Sequence, residues 1–292
     1  MDEYAQLPWW HKLLKQKDIL WLLVWSGTVL AVGIWNFIFL NAPALKLVIQ
    51  GFFNTFSISF LVIIFSLFLS WIVTLCLNYF QYKNNHIGFL LFTFILNLVR
   101  SVPQIVGVLF GYVFLTYFIE KGLVRSNFFV ILFLALIMSL FIFIEMVDLM
   151  RERIAYFKKR DFYNAMRVCG ISENRIINFD ILWKNSRIHI LNKLISVFGI
   201  AVFLQCSVDF IISVGLSRDV SSVNLPTTLG SLLAKIDSKQ DILAIGYSIT
   251  HPGYMKNLFF GHLQGVTVSF LIVFTLLCIY NISNGYSERH RL

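Results

Sequence analysis

Charge is scarce in these 292 residues: 13% are Asp, Glu, Lys or Arg, where a soluble domain carries about 25%. Proline is scarcer, with five residues, and the four cysteines (Cys76, Cys169, Cys206, Cys278) are far apart. Low charge together with high apolar content excludes a water-soluble globular enzyme, and it excludes a disordered chain, which needs the opposite balance. Scattered cysteines leave no C-x-x-C and no disulfide framework, so they read as buried apolar thiols. The six histidines are equally dispersed and give no zinc or nickel ligand set. No G-x-x-x-x-G-K-[ST] is present to cradle nucleotide phosphates, nor G-x-S-x-G, nor H-E-x-x-H. No catalytic residue and no cofactor are therefore expected on this chain.

What is present is lipid-compatible helix. The chain is 58% hydrophobic with 30 phenylalanines, and its mean hydropathy is +0.76. A spanning helix needs ~20 mostly apolar residues. Six stretches qualify: 19–40, 53–80, 88–118, 127–149, 191–215 and 258–282. The third is long and contains Pro103, which predicts a tilt or a break. The sixth is weak at its start, where Gly261, His262 and Gln264 intervene. The first exceeds a signal-peptide apolar region and lacks an A-x-A-like site, so it reads as an uncleaved anchor. The fold class is an all-α membrane protein of about six transmembrane helices. Residues 1–50 hold an N-terminal tail and the first helix; 51–292 form the core.

The net charge of +9 is explained by topology. With the N-terminus inside, the inner pieces 1–18, 81–87, 150–190 and the tail carry fifteen of the 24 basic residues, nine of them on 150–190. The outer pieces carry seven. Basic residues concentrate on cytoplasmic loops, so both termini are placed in the cytoplasm and no nucleic-acid partner is needed.

Two segments are not simple spans. The inner stretch 150–190 reads as a helix–turn–helix protrusion. Its first helix covers 161–168, Gly170 stops it, and Ser172 with Glu173 opens the next. Ile176, Ile177, Ile181 and Leu182 then mark an apolar face at helical spacing. The alternative is a basic loop on anionic lipid. In the outer stretch 216–257, Leu229, Leu232, Leu233 and Ile236 fit one face of an amphipathic helix. It reads either as a scoop meeting an external protein or as a helix lying on the membrane.

Charge at membrane depth is costly and usually faces a bundle interior or cavity. Arg100 is the clearest case, with Pro103 and Gln104 beside it. Glu145 and Asp209 are the other embedded or near-embedded charges, Asp209 in the outer half of the fifth span, and Asn97, Gln104 and Gln205 are weaker candidates of the same kind. Arg100 either lines a substrate path and attracts an acidic group, or forms a structural ion pair. Asp209 either binds a peptide's amino group, pairs with Arg100 or caps an interface. Asp148 is expected to pair with Arg151 or Arg153. Ser57, Ser59 and Ser66 read as helix-packing residues.

The string Asp161 to Asn185 resembles the EAA loop of ATP-binding-cassette (ABC) importer permeases. Asp161, Ala165, Gly170, Ile177 and Leu182 occupy the acidic, small, glycine, isoleucine and leucine places of that loop. Met166 stands where the family has a small residue, and Trp183 where it has the proline after the leucine. "DFYNAMRVCGISENRIINFDIL" is especially similar to the dipeptide/oligopeptide/nickel branch. Gly51-Phe52-Phe53-Asn54-Thr55, Arg100-Ser101-Val102-Pro103, Gly215-Leu216 and the tail with Asn281, Asn284 and Arg289 resemble the family more loosely. The short outer piece 41–52 is closer to amino-acid, methionine or phosphonate permeases.

This resemblance implies a type I importer permease fold in a bacterial cytoplasmic membrane. It implies an ATPase-coupling loop built on Asp161, Ala165, Met166, Gly170, Ser172, Ile177 and Leu182. The implied partners are a second, different permease, two cytoplasmic ATPase subunits holding ATP-Mg, and an external substrate-binding protein, with peptides as cargo. The rival readings are an ion-coupled secondary transporter, which predicts buried coupling carboxylates and internal repeats, and a non-transporting scaffold subunit.

Overall fold

In hydrocarbon every backbone polar group must be satisfied within the chain, so apolar runs of this length become helices. In the computed structural model the described residues are 16–83, 85–124, 126–215, 225–235, 243–244, 246–257 and 263–290. Leu216, Ile236 and residues 258–262 lie outside them, as do the basic residues Lys12, Lys15, Arg125, Arg218, Lys239 and Arg291. The described helices are α1 (Lys17–Phe39), α2 (Ala42–Tyr82), α3 (His86–Ser101), α4 (Gln104–Glu120), α5 (Asn127–Lys158), α6 (Asp161–Val168), α7 (Arg187–Gly215), α8 (Leu229–Leu233) and α9 (Leu263–His290). A turn at Glu173–Arg175 and a π-helix at Ile176–Asn185 lie between α6 and α7. No strand occurs among the described residues.

Helices α1, α2, α5, α7 and α9 are each long and apolar enough to cross a membrane. At 41 residues, α2 is about 60 Å long, twice the ~30 Å hydrocarbon core. It begins at Ala42, so the piece 41–52, expected as a loop, is the outer end of this helix. The Asn41 side chain caps it by accepting from the Ala44 amide at 3.1 Å.

Contacts fix the directions. Lys158 donates to Asn78 at 2.8 Å and Thr74 meets Met150, so α2 and α5 end together on the inner side. Being parallel, they need a return path, and α3 and α4 supply it. The expected single span 88–118 is two helices bent by 93° at Pro103. A residue before proline is pushed out of the helical region, and Val102 sits at φ −84, ψ 123. Helix α3 starts beside Phe80, where the Phe80 and Phe92 rings are 5.6 Å apart. It ends at Arg100 beside Asp148. It therefore crosses the inner halves of α2 and α5, and only α4 climbs outward. Gly107 faces Phe141 and Gly111 faces Ile137, while Phe118 meets Phe133, so α4 runs antiparallel to α5.

The α2–α5 seam is lined by small side chains. Ser66, Ser70 and Thr74 on α2 are buried, as are Ala135 and Ser139 on α5, while the buried Thr55 and Ser59 bond to α8 and α7. Without a hydrophobic drive between helices in lipid, close backbone approach supplies the packing energy. Ser59 and Ser66 fit that reading; Ser57 is exposed.

Helix α1 pairs with α9 along its length. Asn36 accepts from Thr267, Trp25 donates to Thr275, and Arg289 reaches Asp18 at 3.0 Å. Elsewhere α1 is exposed: apolar clefts of about 410, 360 and 460 Å³ flank it.

Candidate functional site

The inner protrusion is built by local rules. Helix α6 ends in a Schellman closure: Ile171 N–H bonds Met166 C=O at 3.2 Å and Gly170 N–H bonds Arg167 C=O at 3.0 Å. That closure needs a left-handed residue, and Gly170 has φ 76. Met166 and Ile171 both pack on the core, as the motif's apolar contact requires. Ser172 stands at the expected N-cap position but makes no capping bond through its side chain. Glu173 instead accepts from Lys158 at 2.9 Å.

The second helix differs from the expectation. It is π-helical, and Ile176, Ile177, Ile181 and Leu182 are fully buried. In α winding, residues five apart point about 140° away from each other. In winding bonded i to i+5 they stack, so Ile176 with Ile181 and Ile177 with Leu182 line one face. That face packs on α5 and α7 and belongs to the same buried cluster as Met146, Met150, Ile154 and Ile190. Each such side chain removed from water is worth about 1.5–3 kcal/mol. Trp71 donates to Asn178 at 2.7 Å, tying the π-helix to α2. Burial and the adjacent Glu173 carboxylate raise the Tyr163 hydroxyl above its ordinary value, which keeps it a phenol.

The opposite side of the protrusion is bare. Phe162, Ala165, Val168 and Cys169 form one exposed stripe along α6, with Asp161 at its start. Val168 is 89% exposed, and Phe179 and Trp183 extend the apolar patch at 53% and 64%. Cys169 is thus not a buried thiol; Cys206 and Cys278 are.

The embedded polar candidates separate into two places. Arg100, Pro103 and Gln104 meet at the α3–α4 elbow. Arg100 donates to Asp148 at 2.6 Å and to Asn97 at 3.3 Å. Asp148 therefore pairs with Arg100 rather than Arg151 or Arg153. Gln104 donates to Glu145 at 3.4 Å, and Glu145 holds Lys193 of α7 at 2.7 Å. Lys193 was not singled out by sequence, because only tertiary packing brings it to Glu145. Truncating one partner strands a half-buried charge, which costs about 2–3 kcal/mol at such depth. Glu145→Gln or Lys193→Met alone is therefore expected to lower the detergent melting temperature, and the double variant to recover most of the loss. Additive losses in that melting series would contradict the coupling.

Gln205 and Asp209 lie on the outer half of α7, away from Arg100. Tyr112 of α4 donates to one Asp209 oxygen and Thr228 to the other. Ser59 donates to Gln205 at 3.5 Å, one turn from Asp209 on the same helix. Neither Tyr112 nor Thr228 was legible as a partner. The available signal was a capping box, with Thr228 and Ser231 bonding each other's backbone.

Segment 225–235 lies neither on the membrane surface nor outside as a scoop. Pro226, Thr228, Leu229, Leu232 and Ala234 are buried, and α8 packs against α7, α2 and α9. Its irregular backbone is satisfied by α2: Asn54 donates to Thr227 C=O at 2.7 Å, and Thr55 accepts from Leu229 N–H at 3.0 Å. Non-helical backbone is tolerated at membrane depth only when so enclosed. Of the outer leucines, Leu229 and Leu232 face inward and Leu233 is half-buried.

Residues 79–291 match a family model described as binding-protein-dependent transport system inner membrane component. The match spans well over half of the chain and takes in the elbow, the inner protrusion and the outer segment. No curated protein matches.

Proposed function

Because this chain belongs to the family of binding-protein-dependent transport system inner membrane components, making it a permease subunit of an ABC importer, we propose that segment 161–185 is the device through which separate ATPase subunits drive it. The observation that supports this most is the two-sided build of that segment. One face, Ile176, Ile177, Ile181 and Leu182, is fully buried on α5 and α7. The other, Phe162, Ala165 and Val168, stands in water as an apolar stripe. An amphipathic helix with such a stripe seats in a groove of a partner. The chain has no P-loop of its own, so ATP-Mg belongs to that partner.

Force on α6 has a direct route inward. Met166, Ile171 and the Schellman closure join α6 to the π-helix, and Glu173–Lys158–Asn78 and Asn178–Trp71 join both to the inner ends of α5 and α2. These two spans pack along one seam and cannot shift independently. Closure of the ATPases would tilt them together and alternate the cavity between the two sides.

The cargo reading is peptides. The loop string favours that branch, and the elbow offers both charge signs, Arg100 and Lys193 with Asp148 and Glu145, to a zwitterion. A second, different permease covers the exposed apolar helix faces, an external binding protein delivers cargo, and the setting is a bacterial cytoplasmic membrane.

Mild-detergent affinity purification with mass spectrometry tests the assembly. Recovery of a P-loop ATPase and a second permease is expected. Val168→Asp changes a side chain that is 89% exposed, so folding is untouched, yet it buries a charge in the docked state. ATPase recovery should fall about tenfold or more. An ATPase retained in full by that variant would remove α6 from the interface.

A further inference from the structure

The outer segment carries a second inference, which rests on the importer reading for its role in transport but not for its geometry. Residues 225–235 re-enter from the outer side between α2, α7 and α9. A short piece of chain here occupies space that a spanning helix would otherwise fill. Its seat is shaped for it. A Cβ on Gly230 would lie 2.4 Å from the Cys206 carbonyl oxygen and 2.7 Å from Cys206 Cα, so the α8 backbone rests directly on α7. On the far side, a Cβ on Gly51 would meet Leu232 at 2.8 Å and the Thr228 carbonyl carbon at 3.3 Å. Glycines at both contacts let α8 slot between two helices.

The fastenings are polar where neighbouring contacts are apolar. Leu229 and Leu232 fill the cleft, but position is set by Thr228 on Asp209, by Thr55 on the Leu229 amide and by Asn54 on the Thr227 carbonyl. Asp209 is a carboxylate at membrane depth, a placement that is costly unless serving a purpose. Both its oxygens are taken, one by fixed Tyr112 and one by Thr228 of the inserted segment. The Thr228 hydroxyl also accepts from Ser231 N–H at 3.2 Å, so one side chain both caps α8 and fastens it.

We propose that 225–235 is a plug closing the outer mouth of this subunit and that the Thr228–Asp209–Tyr112 hydrogen bonds are its latch. Each of its hydrogen bonds is shared with a group that stays behind on α7 or α2, so the segment can leave, drawing Leu229 and Leu232 from their cleft, without breaking a spanning helix. Its withdrawal uncovers Cys206, which at rest lies beneath Gly230 and is 6% exposed.

That thiol is the reporter. In the full complex, Cys76→Ser, Cys169→Ser and Cys278→Ala leave Cys206 as the remaining cysteine. Right-side-out vesicles are treated with a membrane-impermeant methanethiosulfonate carrying a trimethylammonium group. The Cys206 thiolate attacks its sulfenyl sulfur, a disulfide forms and methanesulfinate leaves. A thiol placed at exposed Lys235 by Lys235→Cys, in a Cys206→Ala background, gives the open reference rate. At rest Cys206 is expected to react far more slowly than that reference. Thr228→Val keeps the shape and removes the donor, which should speed the reaction about tenfold. Thr228→Ser, which keeps the hydroxyl, should restore protection. Ser231→Ala, at a half-buried position, loosens the same cap and serves if Thr228→Val does not fold. With latch intact, ATP and cargo should also raise the rate.

A resting rate equal to the reference overturns the plug. So does protection that persists through Thr228→Val, Ser231→Ala and ATP-driven uptake. If no ATPase is recovered yet Thr228→Val still bares Cys206, the latch stands and the importer reading fails. If uptake proceeds with Cys206 always shielded, the importer reading stands and the latch fails.

Discussion

Gly170→Val is expected to cut ATP-driven uptake about tenfold or more while the chain still reaches the membrane, and Gly170→Asn to keep most of it. The reason is local. Gly170 holds φ 76 with nothing near its missing Cβ, so space is no obstacle and backbone conformation is the whole effect. A β-branched residue in the left-handed region costs about 1–2 kcal/mol, whereas asparagine visits that region readily. The Schellman closure from Ile171 to Met166 and from Gly170 to Arg167 then opens. Helix α6 has eight residues, and this closure is what sets its angle to the turn that follows. A loss of 1–2 kcal/mol lowers the seated population about five- to thirty-fold. Uptake and ATPase activity measured on the same purified complex separate the outcomes. Uncoupled hydrolysis with low uptake supports the role of α6; equal uptake in the Val and Asn variants would contradict it.

The second large effect belongs to Gly230. Gly230→Val places branched carbons where the Cys206 carbonyl oxygen and Cα already lie at 2.4 and 2.7 Å from an added Cβ. The obstacle is backbone, so no rotamer change relieves it and α8 must move. Overpacking of this kind costs typically about 1–3 kcal/mol, occasionally more. Displacing α8 also breaks the Thr228–Asp209 bond and strands Leu229 N–H. Gly51→Ala makes the milder comparison: its nearest obstacle is the end of the Leu232 side chain at 2.8 Å and the backbone stands back at 3.3 Å, against 2.4 Å at Gly230. Melting in detergent should therefore fall by several degrees for Gly230→Val and barely for Gly51→Ala. The same ordering should appear in Cys206 reactivity. Equal behaviour of the two variants would mean that α8 is not wedged as described.

The inner protrusion 161–185 was partly legible in the sequence. Gly170 announced the end of α6, and the isoleucines announced an apolar side; that this side is buried on the chain's own helices, not free to dock in a partner's groove, came only with the fold. The winding was not legible, because pairs five apart at 176/181 and 177/182 look helical in a list of residues and only packing on α5 and α7 selects the π form. Arg100 and Pro103 were visible as an unusual pair within apolar sequence. The partner of Arg100 was misread because the nearest basic residues in sequence to Asp148 are Arg151 and Arg153, while the 93° bend carries Arg100 there instead.

Sequence alone determined the material of this protein: apolar helices in number, the basic inner side and the stop at Gly170. Each depends on composition or on neighbours within a few residues, where propensity and hydropathy act. Tertiary structure decided the elbow pairs, the seat of 225–235 and the Tyr112–Asp209–Thr228 cluster. Those contacts join residues up to 174 positions apart. Their stability comes from groups that only the assembled bundle encloses, where a carboxylate or a bare backbone amide must find a partner from whichever helix lies next to it.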